Sequence, residues 1–301
     1  MAALRQLVTT GKLVPVRRGA YVPSEMLAGL DGRQVERTLT LARVAAVGRR
    51  LGPEVVMSHL SAAALWGLPL VGDDSTVVHV IPPSHPSERS ARDIARHGHR
   101  IAAGHVTTHR GFSTTTLERT VVDCAMALPL AQGLIIADAA LHIGADLGEC
   151  WRILEPMAGH RGVRSARAVL TYADAGAESS GETLLRLALL RGGFPVPTTQ
   201  VMIVTRRGTY WTDVGWPRLR VVGEYDGESK YLARDDAVGA IVDEKRRQAA
   251  IEGEGYAMFR ALKSDLSSPE ALESRVRRLA RFGPIIERPE LFPTPPSPPL
   301  R

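Results

Sequence analysis

Cysteine is scarce in this chain. Of 301 residues only Cys124 and Cys150 are cysteine, and no Cys-x-x-Cys spacing occurs. A disulfide framework needs more thiols than this, so we expect two reduced, partly buried thiols of a cytoplasmic protein. No segment offers about 18 uninterrupted apolar residues, and the N-terminus shows no charged region followed by an apolar signal core. These absences argue against membrane-spanning and secreted classes.

Several common catalytic motifs are also missing. No glycine-rich phosphate loop and no Ser-His-Asp constellation can be identified. The histidines that we considered as zinc ligands show no helical pair and no thiol partner; they are His97, His99, His105 and His109. Zinc sites are typically built from such pairs, so we expect no zinc.

Lysine is rare, and positive charge comes mainly from arginine. Lysine supplies four of the 38 basic residues, at positions 12, 230, 245 and 263. The formal net charge of +6 favours a polyanionic partner such as DNA, although an arginine-rich coding bias gives the same number. The length and the apolar fraction of 44% predict two or three globular domains.

What the chain does have is a group of acids where a sheet should be apolar. Segment 210–230 predicts two short strands broken at Pro217-Arg218. One face carries Thr212, Val214, Trp216, Leu219, Val221 and Tyr225, and the other carries Asp213, Val222, Glu224 and Asp226. Carboxylates on one face repel each other unless a cation lies between them, and such oxygen-only clusters suit Mg²⁺ or Mn²⁺. The alternative is a hydrated outer face whose acids pair with arginines.

The register of this hairpin decides whether the acids meet. A two-residue turn pairs Trp216 with Leu219 and Asp213 with Val222. Asp213 then lies diagonal to Glu224, roughly 7–8 Å away and on the same face. A three-residue turn would exchange the faces and weaken the case for a metal site.

A helix on each side of the hairpin is predicted to add a charged side chain. Helix 180–192 carries Glu182 on the stripe of Leu185 and Leu189, although Ser179-x-x-Glu182 also fits a capping box. The apolar stripe of helix 236–252 consists of Val238, Ile241, Val242 and Ala249, and it includes Lys245. A lysine turned inward is costly unless it meets negative charge, which the acids would supply. Alternatively, its long stem reaches the helix edge.

The predicted order of elements in the C-terminal part is αβββαβ. It consists of helix 180–192, strands Gln200–Thr205, Thr209–Trp216 and Leu219–Tyr225, helix 236–252 and strand Tyr256–Arg260, with a further helix at 268–281. With its acids, this order resembles the PD-(D/E)XK nuclease superfamily, and most of all the branch related to very-short-patch-repair endonucleases. The sequences Glu-Tyr-Asp-Gly-Glu-Ser-Lys-Tyr (224–231) and Glu244-Lys245-x-Arg247 are similar to bacterial proteins in which this domain follows an AbiEi-antitoxin-like region.

Three acids of this sequence match the catalytic acids of the nuclease family. Glu182 corresponds to the helix acid, Asp213 to the motif aspartate and Glu224 to the motif glutamate, whereas the family's lysine is replaced by Asp226. The candidates for a migrated lysine are Lys245 and Lys230. The resemblance therefore implies Mg²⁺- or Mn²⁺-dependent cutting of DNA, with Asp213, Glu224 and Asp226 as metal ligands. Without such a lysine, the site would bind metal or DNA without cutting.

The first 25 residues predict a short helix and a basic hairpin, with Gly11 ending the helix and Gly19 in the turn. This arrangement resembles the last helix and wing of the winged helix-turn-helix in AbiEi-type antitoxins, whose first two helices are absent here. The resemblance and the charge point to DNA contacts by Lys12, Arg17, Arg18, Arg206 and Arg207. A lone basic hairpin can also be a solvated face.

The middle of the chain, residues 31–175, offers little chemistry. Segment 58–69 and segment 118–123 (Glu-Arg-Thr-Val-Val-Asp) both resemble the AbiEi family. We interpret Arg119 and Asp123 as an ion pair within a helix or as an Arg–Asp hinge. Predicted helices are Gln34–Arg50, His59–Trp66, Leu117–Ala127, Ala131–His142, Leu147–Ala158 and Val163–Ala173, and predicted strands are Thr76–Ile81 and His105–His109. The proline-rich residues 289–301 predict an extended or disordered tail.

The fold class expected from these patterns is α/β (α+β). It comprises a partial winged helix at 1–25, an AbiEi-like region at 31–175, a nuclease-like domain at 178–283 and the tail at 289–301. Two functions follow: a metal-dependent DNA endonuclease, or a non-catalytic DNA-binding regulator or antitoxin of an AbiEi-type toxin–antitoxin system. The second would have a cognate toxin as partner, and neither involves a membrane.

Overall fold

The chain is a mixed α/β protein, as the sequence predicts. The computed structural model describes residues 2–70, 76–83, 91–98, 101–227 and 237–292. The chain divides into two compact units, an N-terminal unit of Met1–Leu128 with Ala145–Ala166 and a C-terminal unit of Pro129–Gly144 with the chain from Arg167 onward. The four-part division expected from sequence stays a prediction.

Helices and strands occur in both units. In chain order they are α1 (Ala2–Thr9), β1 (Leu13–Arg17), β2 (Ala20–Pro23), α2 (Gly32–Leu51), β3 (Val56–Met57), α3 (His59–Trp66), β4 (Val78–Ile81), β5 (Ile94–Arg96), β6 (Val106–His109), β7 (Phe112–Thr115), α4 (Leu117–Ala127), α5 (Leu130–His142), α6 (Leu147–Leu154), α7 (Val163–Tyr172), α8 (Ser180–Arg191), β8 (Thr198–Thr205), β9 (Gly208–Trp216), β10 (Val221–Asp226), α9 (Ala237–Gly253), β11 (Ala257–Leu262), α10 (Lys263–Ser267) and α11 (Pro269–Arg277).

The N-terminal unit contains the β1–β2 hairpin and a five-stranded mixed sheet in the order β5-β4-β3-β7-β6. Its core is formed by Val44, Val47, Val55, Met57, Leu65, Val78, Val80 and Ile94. Inside α4, Arg119 Nε and Asp123 Oδ1 form a buried ion pair at 2.8 Å, which confirms the predicted internal pair. Strands β3, β5 and β7 escaped prediction because two to four residues are too few to show an alternating pattern.

In the C-terminal unit a four-stranded sheet has the order β11-β10-β9-β8. Strands β8, β9 and β10 are antiparallel, and β11 returns parallel to β10 after α9. A large core contains Leu185 and Leu189 of α8, Phe259 of β11 and Val276 of α11. A smaller core contains Val201, Ile203, Val222 and Ile251 of α9. The predicted αβββαβ order of elements is thus observed.

The register predicted for the β9–β10 hairpin is wrong by two positions. Trp216 pairs with Val221 and Gly215 with Val222, so four residues rather than two form the connection. Proline at 217 starts a 3₁₀ turn over Pro217–Leu219, and Arg220 closes it in a left-handed conformation with φ of 52°. A shift of two keeps the alternation of side chains, because faces repeat every second residue.

The first residues of the proline-rich tail are not extended as predicted. Leu291 is fully buried and its carbonyl accepts a hydrogen bond from Arg191 Nε at 3.0 Å. Arg288 donates to the carbonyl of Leu190 at 2.9 Å. Arg191 thus donates from the end of α8 to this segment, and Arg288 donates from this segment to the end of α8, which together fix it against the helix. Residues 293–301 lie outside the described part of the chain.

Both cysteines are buried and neither forms a disulfide. Burial raises the pKa of the Cys150 thiol to about 12 and that of Cys124 well above its ordinary value. Thiols this protonated are poor nucleophiles, which agrees with the expectation of reduced, structural cysteines.

Among the helices in the described ranges, none combines the length and the apolar character that crossing a membrane requires.

Candidate functional site

Asp213 lies where strands β9 and β10 stop pairing. The last paired residues are Val214 and Gly223, and one further step in the same register sets Asp213 opposite Glu224. The backbone amide of Tyr225 donates a hydrogen bond to Asp213 Oδ2 at 2.7 Å. The Asp213 carboxylate therefore accepts the bond that a backbone carbonyl of β9 would accept if the strands continued to pair. Hydrogen bonds to an ionised group are stronger than those to a neutral one. The position of Asp213 is fixed from the neighbouring strand.

Glu182 caps its own helix, and its carboxylate also interacts electrostatically with Asp213. Its carboxylate accepts hydrogen bonds from the Glu178 amide at 2.9 Å and the Ser179 hydroxyl at 2.8 Å, while Ser179 Oγ accepts from the Glu182 amide. Burial raises the pKa of Glu182, as do the charges of Asp213 and Glu178, against the lowering effect of these hydrogen bonds. The capping interpretation and the proximity to Asp213 therefore both hold.

Glycine before Glu182 allows helix α8 to approach the sheet closely. A β-carbon at Gly181 would lie 2.0 Å from the ring of Tyr225, which no side chain can tolerate. The start of α8 thus rests on the strand whose amide holds Asp213, and this contact sets Glu182 near Asp213.

Glu224 is the most buried acid predicted for this site, with 6% of its surface exposed. Burial raises its pKa to about 7; the charges of Glu244 and Asp213 act in the same direction, and Arg247 and Arg260 oppose them. Its Oε1 atom lies 2.5 Å from Arg247 as an ion pair. Within the described ranges that oxygen receives no hydrogen bond, and the same guanidinium nitrogen donates to the carbonyl of Trp211.

Asp226 belongs to an arginine network. Parallel pairing sets Glu224 beside Arg260, whose guanidinium lies 2.9 Å from Asp226 and 3.5 Å from Glu224 and also contacts Glu244. For Asp226, pairing with arginine is thus the arrangement found, as the alternative interpretation expected. No three carboxylates of the described residues bring ligand atoms within 4.8 Å of one another. The predicted metal set of Asp213, Glu224 and Asp226 is therefore not brought together, and the strand register sets only Asp213 and Glu224 opposite each other.

The predicted inward stripe of helix α9 is wrong. Lys245 and Ala249 are exposed, and Val242 is 40% exposed. The inward side of the helix carries Glu244, Arg247 and the buried Ile251 instead. In this arrangement the buried Glu224 has a guanidinium partner, which offsets the cost of burying its charge. Val238 and Ile241 have side chains outside the described set, and Lys230 lies outside the described residues altogether.

The residues predicted to contact DNA have different surroundings. Lys12 and Arg18 are exposed, whereas the Arg17 side chain is 8% exposed and pairs with Asp93 at 3.0 Å. Arg206 and Arg207 are exposed on the turn between β8 and β9. A surface depression of about 380 Å³ is lined by Arg207, Val242, Lys245, Arg246, Ala249 and Ala250.

Sequence inspection missed an aromatic and apolar face beside these basic residues. Met202 pairs with Trp211 across β8 and β9, and these side chains are 53% and 51% exposed. Val204, next on the same strand face, is 65% exposed. Met202 and Val204 alternate along β8 with the buried Val201 and Ile203, and this alternation could have predicted an exposed apolar face. An indole beside arginines is a surface on which nucleic-acid bases stack.

A buried ion pair anchors α8 and therefore Glu182. Arg186 and Asp138 have side chains 1% exposed and lie 2.7 Å apart. The same Asp138 accepts from the Thr183 hydroxyl at 2.9 Å and the Asp174 amide at 2.8 Å, and Arg186 donates to the Tyr172 carbonyl at 2.5 Å. Burial raises the pKa of Asp138, against the lowering effect of Arg186.

Comparisons with known proteins give relatives without an assigned activity. No family model and no solved structure matches the chain. It is similar to two curated proteins of Mycobacterium tuberculosis, "Uncharacterized protein MT2308" of strain CDC 1551 / Oshkosh and "Uncharacterized protein Rv2248" of strain ATCC 25618 / H37Rv. Each is 26% identical over 274 residues, which cover 90% of this chain and 93% of the relative.

Proposed function

We propose that the C-terminal unit is a PD-(D/E)XK-like nuclease site that hydrolyses phosphodiester bonds of DNA with a divalent metal ion. The observation that carries this proposal is the buried Glu224 Oε1, which receives no hydrogen bond from the described residues. Glu224 lies opposite Asp213 in the register of β9 and β10. A buried carboxylate oxygen that has an ion-pair contact but receives no hydrogen bond is suited to a cation.

The donor set fits Mg²⁺ or Mn²⁺. Magnesium is commonly held by one or two carboxylates while it keeps several waters, and Asp213 and Glu224 provide two. When bound, such an ion supplies an activated water and offsets the charge on phosphate. Glu182, coupled electrostatically to Asp213, adds negative charge at the rim of the pair.

Arg247 occupies the place where we expected a lysine. Its guanidinium contacts Glu224 and cannot act as a base, because arginine stays protonated in proteins. Its role would be to offset negative charge that develops on phosphate. Lys245, exposed beside Arg207 and Arg246, would contact DNA phosphates and not the attacking water.

The plasmid test uses Asp213→Asn. With Mg²⁺ or Mn²⁺ the purified chain should nick or cut supercoiled DNA and should be inactive in chelator. Asparagine keeps the shape of Asp213 but removes the charge that holds the ion, so cutting should fall to the chelator background. The matched control is Asp243→Asn, an exposed acid of α9 whose side chain is 77% exposed, and it should retain activity. Cutting that survives Asp213→Asn would refute the assigned site.

A second candidate is a non-catalytic DNA-binding regulator or antitoxin of an AbiEi-type system, in the cytoplasm, with a cognate toxin. The observation favouring it is that Arg247 and Arg260 already neutralise Glu224 and Asp226. An absence of cutting under every divalent metal, combined with tight DNA binding, would make this candidate the better account.

Either function predicts that Arg206 and Arg207 bind phosphate. Replacing both with alanine should reduce the slope of log affinity against log salt by about 2, since each phosphate contact contributes roughly 0.9. Fluorescence anisotropy of a labelled duplex at several salt concentrations measures this slope. The charge-matched control replaces Arg278 and Arg281, both exposed. Equal slopes for the two double variants would remove the β8–β9 turn from the DNA surface.

A further inference from the structure

Three histidines meet in the N-terminal unit. His59 begins α3, His79 lies in β4 and His97 directly follows β5. One ring nitrogen of each lies within 4.8 Å of those of the other two, and within the described residues no other such group of metal-ligating side chains occurs. His79 Nδ1 and His97 Nε2 are 3.0 Å apart, and the rings of His59 and His97 stack with centroids 3.7 Å apart.

Backbone hydrogen bonds hold these histidines together independently of their rings. The Ser58 amide donates to the His79 carbonyl at 3.1 Å, and the His79 amide donates to Ser61 Oγ at 2.8 Å. The His97 amide donates to the Val80 carbonyl at 2.9 Å. Ligands held on rigid elements in this way are preorganised, which is the requirement for a tight site.

His59 has a strained backbone. Its φ is 48°, in the left-handed region that a non-glycine residue rarely adopts, and the residue is 8% exposed. Strain of this kind persists where surrounding structure imposes it, and it concentrates at binding and catalytic sites. His59 Nδ1 lies 3.1 Å from Ser58 Oγ, an outer contact that would orient the ring if Nε2 bound the ion.

We propose that His59, His79 and His97 bind one transition-metal ion, with zinc as the preferred metal. Imidazole is a good ligand for zinc, copper and nickel. Tetrahedral zinc with bonds of about 2.0–2.1 Å spaces its ligand nitrogens roughly 3.3 Å apart. The 3.0 Å separation of His79 and His97 is close to that spacing.

Binding of the ion requires a small rearrangement of the stack. The three rings are nearly parallel, with interplanar angles of 12–26°, and His79 Nδ1 and His97 Nε2 share a hydrogen bond whose proton the ion would displace. Rotation of the His59 ring about its side-chain torsions directs the third nitrogen to the ion. Three protein ligands leave a fourth position for water or an anion, as in His₃ zinc sites.

This proposal differs from the expectation of no zinc. The expectation rested on the lack of a histidine pair within one helix and of thiol partners, and His59 and His79 were not among the histidines considered. The actual ligands are 18 to 38 residues apart in sequence and are brought together by the pairing of β4 with β5 and by the position of α3.

The test is a titration of the chelator-treated full chain with zinc chloride, followed by calorimetry and elemental analysis. We expect one zinc per chain, and His79→Gln should weaken binding by more than about 100-fold. His142→Gln is the control, because His142 belongs to the C-terminal unit and its ring contacts the Ala175 carbonyl. Asp213→Asn should also retain zinc, which separates this proposal from the nuclease proposal.

X-ray absorption of the wild-type zinc complex gives a measure that does not depend on a variant's folding. Three imidazole nitrogens at about 2.0–2.1 Å are expected in the first shell. A first shell without imidazole scattering, zinc retained by a folded His79→Gln protein, or no stoichiometric zinc would each overturn the proposal.

Discussion

Replacement of Arg186 with alanine is expected to lower the free energy of unfolding of the C-terminal unit by about 3–5 kcal/mol. The substitution leaves Asp138, whose side chain is 1% exposed, as a buried acid without its ion-pair partner. The Tyr172 carbonyl also loses a donor. Urea unfolding of the full chain, combined with hydrogen exchange of the α8 amides, measures the loss in this unit.

Two further variants test whether the loss of stability comes from leaving an unpaired charge buried. Arg186→Met with Asp138→Leu removes both charges together, so more than half of the lost stability should return, because no unpaired ion stays buried. Arg152→Ala breaks an ion pair whose arginine is 66% exposed and should change stability by less than about 1 kcal/mol. A loss below about 1 kcal/mol for Arg186→Ala would contradict the anchoring role.

The second large effect concerns pH and Glu224. Its pKa is about 7 in the folded chain and 4.5 in the ordinary state. Between these values the unfolded chain has released a proton that the folded chain keeps, so stability falls as pH rises from 4.5 to 7. The stabilising contribution is complete below pH 4.5 and lost above 7, a change on the order of 3 kcal/mol.

Glu224→Gln has no carboxyl group to titrate, so it tests the origin of this change. The unfolding free energy of the wild-type chain should decline relative to the variant over the same pH window, and the two curves should run parallel above it. Glu252→Gln, at an exposed position of α9, should follow the wild-type curve throughout. Parallel curves for Glu224→Gln and the wild type from pH 4 to 8 would show that burial does not raise this pKa.

Much of the fold was predictable because its signals are local. The helix at His59–Trp66 was predicted at its observed bounds, and Gly67 ends it in a left-handed conformation with φ of 86°. The helix at Leu117–Ala127 was also predicted at its observed bounds, and Ser179 of the predicted capping box begins α8. The acids of β9 and β10 could be assigned to a candidate site because alternation along a strand depends on sequence alone.

The parts of the site that could not be predicted depend on contacts between distant segments. Arg247 and Lys245 are two positions apart on one helix, and only the presence of a buried carboxylate beneath Arg247 decides which one turns inward. Likewise Arg260 meets Glu224 through the register of a parallel strand pair, which sequence spacing does not specify. Hydrophobic periodicity describes one helix at a time, whereas the neighbouring element determines which side chains turn inward.

The four-residue connection between β9 and β10 has a consequence for insertions and deletions. An insertion that slid β10 by one position would turn Glu224 toward the large core, where Tyr225 now packs, and would move Tyr225 onto the buried face that Glu224 now occupies. A two-residue change would keep Glu224 on its present face but displace it from Asp213. Homologous chains that keep this chemistry should therefore vary in length at other loops and conserve the length of this one.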